Sequence, residues 1–193
     1  MLVLAVGDFH IPHRAVDLPA KFKRLLVPGK IQQILCTGNL TSRETLDYLR
    51  SVCSDILLVK GDMDETGLAS SISGGGASSS AVPASRVVTH GPLRIGLIHG
   101  HQVVPWGDQR ALGIVAREMD VDVLVVGNTH RFEAFEMEGR FFCLPGSATG
   151  AFEVETVPSF VLMDVQGPTV ILYVYQLIDG DVRVEKLDYT KRV

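Results

Sequence analysis

The sequence predicts an α/β fold in which two β-sheets pack face to face with helices outside. Short apolar, β-branched runs alternate with amphipathic segments through the first half of the chain, and the second half reads as strands and turns. No linker separates the halves, so the 193 residues are expected to share one core as a single domain.

The elements follow in order. Residues 2–6 (LVLAV), 31–36 (IQQILC), 56–60 (ILLVK), 93–99 (LRIGLIH) and 123–127 (VLVVG) are mostly apolar, the pattern of strands covered on both faces. Between them, residues 18–26 read as a helix that tolerates Pro19 only in its first turn. Thr41-Ser42-Arg43-Glu44 reads as a capping box with Thr41 as N-cap, and Leu46, Leu49 and Cys53 follow at helical spacing. Residues 109–119 place Leu112, Val115, Ala116 and Met119 on one helical face. Beyond residue 130, segments 132–137, 140–144, 159–165, 169–178 and 182–189 read as strands. Glu138-Gly139, Gln166-Gly167-Pro168 and Asp179-Gly180 supply their hairpin turns. Residues 66–85 carry Gly74-Gly75-Gly76 and Ser78-Ser79-Ser80 with little to bury, which predicts a flexible surface insertion.

Composition narrows the function classes. A net charge of -4 without a basic run gives no electrostatic grip on nucleic acid or on an anionic membrane surface. No apolar stretch reaches the ~20 residues that span a bilayer. Residues 1–6 lack the cationic start of a signal peptide. Cys36, Cys53 and Cys143 are odd in number and without paired spacing, as expected of buried free thiols in a reducing cytosol. Membrane contact is therefore expected only through a partner.

Each strand of the first half ends in a polar cluster: Gly7-Asp8-Phe9-His10, Thr37-Gly38-Asn39, Gly61-Asp62-Met63-Asp64, His99-Gly100-His101 and Gly127-Asn128-Thr129-His130. Ligand sites of open α/β sheets form at the carboxyl ends of strands, and glycine beside a ligand-type residue lets the backbone turn sharply there. One such cluster alone reads as an ordinary turn, and His13 and His90 have only that reading. Five in order point to a metal centre.

This ordered set resembles the calcineurin-like metallophosphoesterases, and the resemblance covers nearly the whole chain. It implies a metallophosphoesterase-like sandwich and, for active members, two-metal hydrolysis of phosphate esters. On that resemblance Asp8, His10 and His130 match ligands of one metal and His99 a ligand of the other. Asn39 stands where a bridging aspartate belongs, Asn128 where a histidine belongs, and Asp62 where asparagine is usual. Asp64 keeps the acidic position of its motif, but no catalytic histidine follows. The seven positions Asp8, His10, Asn39, Asp62, His99, Asn128 and His130 thus imply a vestigial, weak metal site. No cofactor is required, and zinc or manganese would be held loosely.

Val103, Val104, Pro105 and Trp106, after the histidine pair, set apolar groups beside that face, either as core or as a partner interface. The stretches 7–14, 25–31, 97–108, 145–151, 158–164 and 173–177 resemble a non-catalytic branch of the family, the phosphoesterase-fold subunits of the retromer endosomal sorting complex. That resemblance implies a scaffold in endosome-to-Golgi and recycling transport, cytoplasmic and peripheral on endosomal membranes through the complex. Its metal face, including Val104, would bind a large α-solenoid subunit. A separate apolar patch at Leu2, Leu25, Leu162, Tyr173 and Tyr175 would bind regulators carrying Pro-Leu motifs; the plain alternative for these five is core packing. Competing readings are a weak metal-dependent phosphodiesterase and a free-standing metal-responsive regulator.

Overall fold

In the computed structural model, residues 1–64, 82–152 and 155–192 are described. β1 (Leu2–Val6), β2 (Gln33–Cys36) and β3 (Ile56–Leu58) run parallel. They extend through β9 (Ser159–Gln166), β10 (Thr169–Ile178) and β11 (Asp181–Thr190) into a six-stranded sheet of order β11-β10-β9-β1-β2-β3. The second sheet has five strands in the order β4-β5-β6-β8-β7: β4 (Ser85–His90), β5 (Leu93–Ile98), β6 (Val123–Val126), β7 (Phe132–Met137) and β8 (Arg140–Pro145). α1 (Ala20–Leu25), α2 (Arg43–Val52) and α3 (Gln109–Glu118) complete the described elements.

Alternation along each strand divides the apolar residues into layers. Val3 and Ala5 of β1 join Leu35, Ile95, Val125, Val161 and Leu172 between the two sheets. Leu4 and Val6 face the other way, onto Phe22 of α1, Leu46 and Leu49 of α2 and Phe160 of β9. On the opposite outer face, Leu112 and Ala116 of α3 cover Leu124, Val126, Phe142 and Leu144. The continuous apolar runs are thus strands buried on both sides, as the sequence predicts.

All three expected hairpins form. β7 turns into β8 at Glu138-Gly139 and β10 into β11 at Asp179-Gly180, both with two left-handed residues as a type I′ turn requires. β9 joins β10 through Gly167-Pro168.

Several local expectations need correction. The helix expected from Thr41 begins with Ser42 as N-cap, whose hydroxyl accepts from the Thr45 N–H at 3.2 Å. Thr41 is instead drawn into the preceding loop. Its φ is 60° and its hydroxyl donates to the Ile11 carbonyl at 2.6 Å. β2 starts at Gln33 rather than residue 31, β3 ends at Leu58, and the first helix covers only Ala20–Leu25. β4 was not foreseen. Among the described residues it is an edge strand paired with β5 alone, and Val88 is its one residue packed on the inner core, so its sequence carries almost no apolar period. The insertion expected at 66–85 lies mostly outside the described residues. Its described end is anchored, since the Pro83 carbonyl accepts from Lys60 N–H at 2.9 Å and Ser85 opens β4.

Candidate metal centre

The carboxyl ends of β1, β2, β3, β5 and β6 bring the five polar clusters together across the two sheets. The approach is close: a Cβ at Gly7 would lie 1.8 Å from Thr37 Oγ1, and one at Gly61 only 2.1 Å from Asn39 Oδ1. Asp8, His10, Asn39, Asn128 and His130 all have positive φ, between 50° and 69°. Non-glycine residues in that region store backbone strain, which persists where surrounding contacts over-determine the loop.

Asp8 lies at the centre, fully buried. Its Oδ1 accepts from the Asn39 amide at 3.1 Å and its Oδ2 from Asn128 N–H at 2.8 Å. His10 and His130 stand 3.6 and 3.7 Å from it, with their Nε2 atoms 3.1 Å apart. Burial alone would raise the Asp8 carboxyl, but the hydrogen bond with His10 and the charges of His99 and His130 outweigh it and hold it below its ordinary value. Burial, with the neighbouring His10 and His99, lowers His130 despite the opposing charge of Asp8.

Asn39 separates this set from a second one. Its Oδ1 accepts from Met63 N–H at 3.0 Å, which fixes the amide orientation. Nδ2 therefore faces the site, 3.0 Å from Asp62 Oδ1 and 3.1 Å from His99 Nε2 as well as from Asp8. His99 donates from Nδ1 to the Thr37 carbonyl at 2.7 Å. Its Nε2 meets Asp62 Oδ1 at 3.1 Å. The hydrogen bond with His99 holds the Asp62 carboxyl well below the usual carboxylate range. Burial opposes charge on His99, yet the Asp62 hydrogen bond and the Asp8 charge prevail and raise it.

Two groups of donor atoms result. Asp8, His10 and His130 form one, and Asp62, His99 and His101 the other; within each, the ligand atoms lie within 4.8 Å of one another. A carboxylate with two imidazoles suits a zinc-type ion. A bound pair is another matter. The group between the two sets is the Asn39 amide, held with its N–H donors inward, and a donor cannot bridge two cations. The buried Asn128 Nδ2, which has no partner among the described residues, likewise offers no lone pair. The residues fit single ions and do not fit a bridged pair.

The structure thus gathers all seven expected positions. Asp64, expected only as an acidic position of the motif, is a loop tie: its carboxylate accepts from the backbone N–H groups of Asn39, Gly61 and Thr41 at 2.8, 2.9 and 3.1 Å. Three residues around the site were not among the seven expected positions. His101 joins the second donor set. Met63 is exposed beside Asp62. Phe152 stacks on His130, with ring centroids 4.5 Å apart and planes at 9°, and the Arg14 guanidinium lies 4.6 Å over its ring. The histidine pair could have flagged His101, whereas nothing local marks Phe152.

On the loop after the histidine pair, Val104 and Trp106 are 77% and 60% exposed, and Pro105 is exposed with them. Val103 is only 7% exposed and packs under α3, so it belongs to the core rather than to a surface. The second apolar patch is assembled by register. Leu162 pairs with Leu4 on one side and Tyr173 on the other, and Tyr175 pairs with Phe160, which puts Leu2, Leu162, Tyr173 and Tyr175 on the outer face of the six-stranded sheet. Leu2, Leu162 and Tyr175 are half-buried against the cluster under α1, and Leu25 at the end of that helix is exposed.

Comparison with known proteins agrees with this geometry. Residues 1–167 match the calcineurin-like phosphoesterase superfamily domain. The chain is 52% identical over 198 residues to vacuolar protein sorting-associated protein 29 of Schizosaccharomyces pombe, covering 99% of each. It is similar to Chaetomium thermophilum Vps29 complexed with a cyclic peptide, at 48% identity and a TM-score of 0.84 over 100% of this chain and 98% of that one. It is also similar to wild-type Entamoeba histolytica Vps29 complexed with zinc, at 44% identity and a TM-score of 0.85 over 97% and 99% of the two chains. The chain belongs to the calcineurin-like phosphoesterase superfamily and, within it, to the Vps29 proteins.

Proposed function

We propose that the chain is a non-catalytic scaffold subunit of retromer, acting in endosome-to-Golgi and recycling transport. The observation that carries this reading is the contrast at the metal face: an inward-pointing amide occupies the bridging position, and the loop that follows the histidine pair exposes the apolar side chains of Val104 and Trp106. Two-metal hydrolysis needs an anion shared by both ions and an open polar mouth for phosphate. Asn39 supplies no such anion, and Met63 beside Asp62, Phe152 on His130, and Val104 and Trp106 on the loop after the histidine pair are exposed apolar side chains. Such a surface suits a protein partner. The α-solenoid subunit would cover it, with Val104, Pro105 and Trp106 in contact and Val103 supporting the loop from within.

Regulators with Pro-Leu motifs would bind the outer face of the six-stranded sheet at Leu2, Leu25, Leu162, Tyr173 and Tyr175. The Chaetomium relative complexed with a cyclic peptide supports a peptide-binding role for this chain. Recruitment to endosomal membranes would come through the complex; among the described residues no helix is long and apolar enough to cross a bilayer. A metal is not required for the scaffold role. The second reading, a weak metal-dependent phosphodiesterase, rests on the two donor sets alone.

Val104→Asp tests the partner face. A charge forced into a central apolar contact costs about 2 kcal/mol or more, roughly 30-fold in affinity. The variant should lose the solenoid subunit in co-purification while circular dichroism stays native, and Leu162→Asp should keep the solenoid and lose the regulators. A folded Val104→Asp that binds the solenoid at full strength would defeat the assignment. Phosphodiester turnover with manganese that disappears in Asp8→Ala would favour the enzyme.

A further inference from the structure

The loop from β1 to α1 and the first turns of α2 leave a cleft of about 230 Å³ between them. Its depth is apolar: Phe9 and Leu18 are buried there, and Ile11 is partly covered. Thr45 and Tyr48, three residues apart and so on one face of α2, make the helical wall. Val16 lines the opening and is 94% exposed, so nothing among the described residues covers it.

The charges at the opening do not balance. The Lys23 ammonium is committed to Asp17 at 2.5 Å and lies 5.5 Å over the Tyr48 ring. Arg43 turns to Asp47 at 3.7 Å. Glu44 is left over. In the capping box expected from the sequence, its carboxylate would accept from the Thr41 N–H, but Asp64 takes that donor at 3.1 Å, and Ser42 caps the helix instead. Among the described residues no cation pairs with Glu44, and the Tyr48 hydroxyl is shut off from solvent without a partner.

We propose that this cleft docks a short segment of a partner protein in which a large apolar residue is followed by arginine or lysine. The volume is below the roughly 300–1,000 Å³ of sites for drug-sized ligands, and suits one large side chain. That side chain would pack over Phe9 and Leu18 and cover Val16, and the cation beside it would pair with Glu44 at the rim. None of the lining residues belongs to either donor set or to the two partner surfaces described above. The cleft is therefore a third surface, and it stands whether or not the other two are assigned correctly.

The test is a selection of phage-displayed random peptides on the folded full chain carrying Leu162→Asp, which closes the other peptide-binding patch. An apolar residue followed by arginine or lysine should be enriched. A synthetic peptide of the enriched sequence should shift the amide resonances of Leu18, Thr45 and Tyr48. Exposed Glu44→Lys replaces an attraction with a repulsion and should weaken that peptide about fivefold or more. The same peptide with glutamate at its basic position should bind Glu44→Lys better than it binds the parent. Glu118→Lys, on the far side of the molecule, should change neither affinity. No enrichment of an apolar–basic pair, resonance shifts confined to other residues, or an affinity that Glu44→Lys leaves unchanged overturns the proposal. So does an equal loss with Glu118→Lys, which would assign the effect to net charge alone.

Discussion

Asn39 decides the chemistry of the site through the direction of one amide. The Met63 N–H holds Oδ1, so two N–H donors meet the carboxylates of Asp8 and Asp62 and hold the unfilled site together. Asn39→Asp would replace those donors with a third carboxylate. The variant should melt lower than the wild type in chelator and recover on adding manganese or zinc, whereas the wild type should change less. Equal melting curves for both proteins in chelator would show that the amide contributes nothing. The pair of His99 and Asp62 predicts a pH dependence at the same scale. His99 is raised from 6.5, so its contribution is fully present below that value and lost as pH rises through the higher folded value. Asp62 is lowered from 3.8, so its contribution is present above that value and lost as pH falls. The pair therefore stabilises most between the two. In chelator, the gap in melting temperature between wild type and His99→Gln should be wider at about pH 5.5 than at about pH 8.5. A gap that widens with alkalinity would contradict the assigned protonation.

At the scale of elements, the outer layer on the six-stranded sheet depends on aromatic packing. Phe160 of β9 is fully buried, edge-on to Phe22 of α1 at 4.8 Å and stacked on Tyr175 of β10 at 4.8 Å. It anchors α1 and supports the patch proposed for regulators from below. Phe160→Ala should cost about 3–5 kcal/mol, the range for a large aromatic removed from a core. Urea unfolding would show it, and peptide binding at Leu162 and Tyr175 should weaken as its support is lost. A loss below about 1 kcal/mol would mean that the layer repacks.

Across the whole molecule, the layers are buried so completely that two thiols, Cys143 between the sheets and Cys36 under the helices, become probes of global unfolding. Cys36 and Cys143 are fully buried and free, and burial pushes the Cys143 thiol up to about 12 and raises Cys36 as well. Neither forms an appreciable amount of reactive thiolate in the native state. Mass-mapped alkylation across a urea series should find both modified only in step with global unfolding. Rapid native labelling of Cys143 would reveal local opening of β8.

The sequence by itself determined the two-layer fold, the order of the metal-type clusters and the three hairpins. Those features depend on neighbours in the chain: apolar runs of strand length, and Asp-Gly or Glu-Gly pairs that accept left-handed backbone. It also exposed the loss of the bridging carboxylate, because residue type alone shows that Asn39 is neutral. Only the tertiary structure decided which way that amide points, because its orientation comes from Met63, 24 positions away. The same holds for Asp64, whose carboxylate ties three backbone N–H groups, and for Phe152, which meets His130 only when the two sheets are assembled. Val103 and Val104 make the point most simply. They are adjacent and chemically identical, and only packing against α3 sends one into the core and leaves the other at the surface.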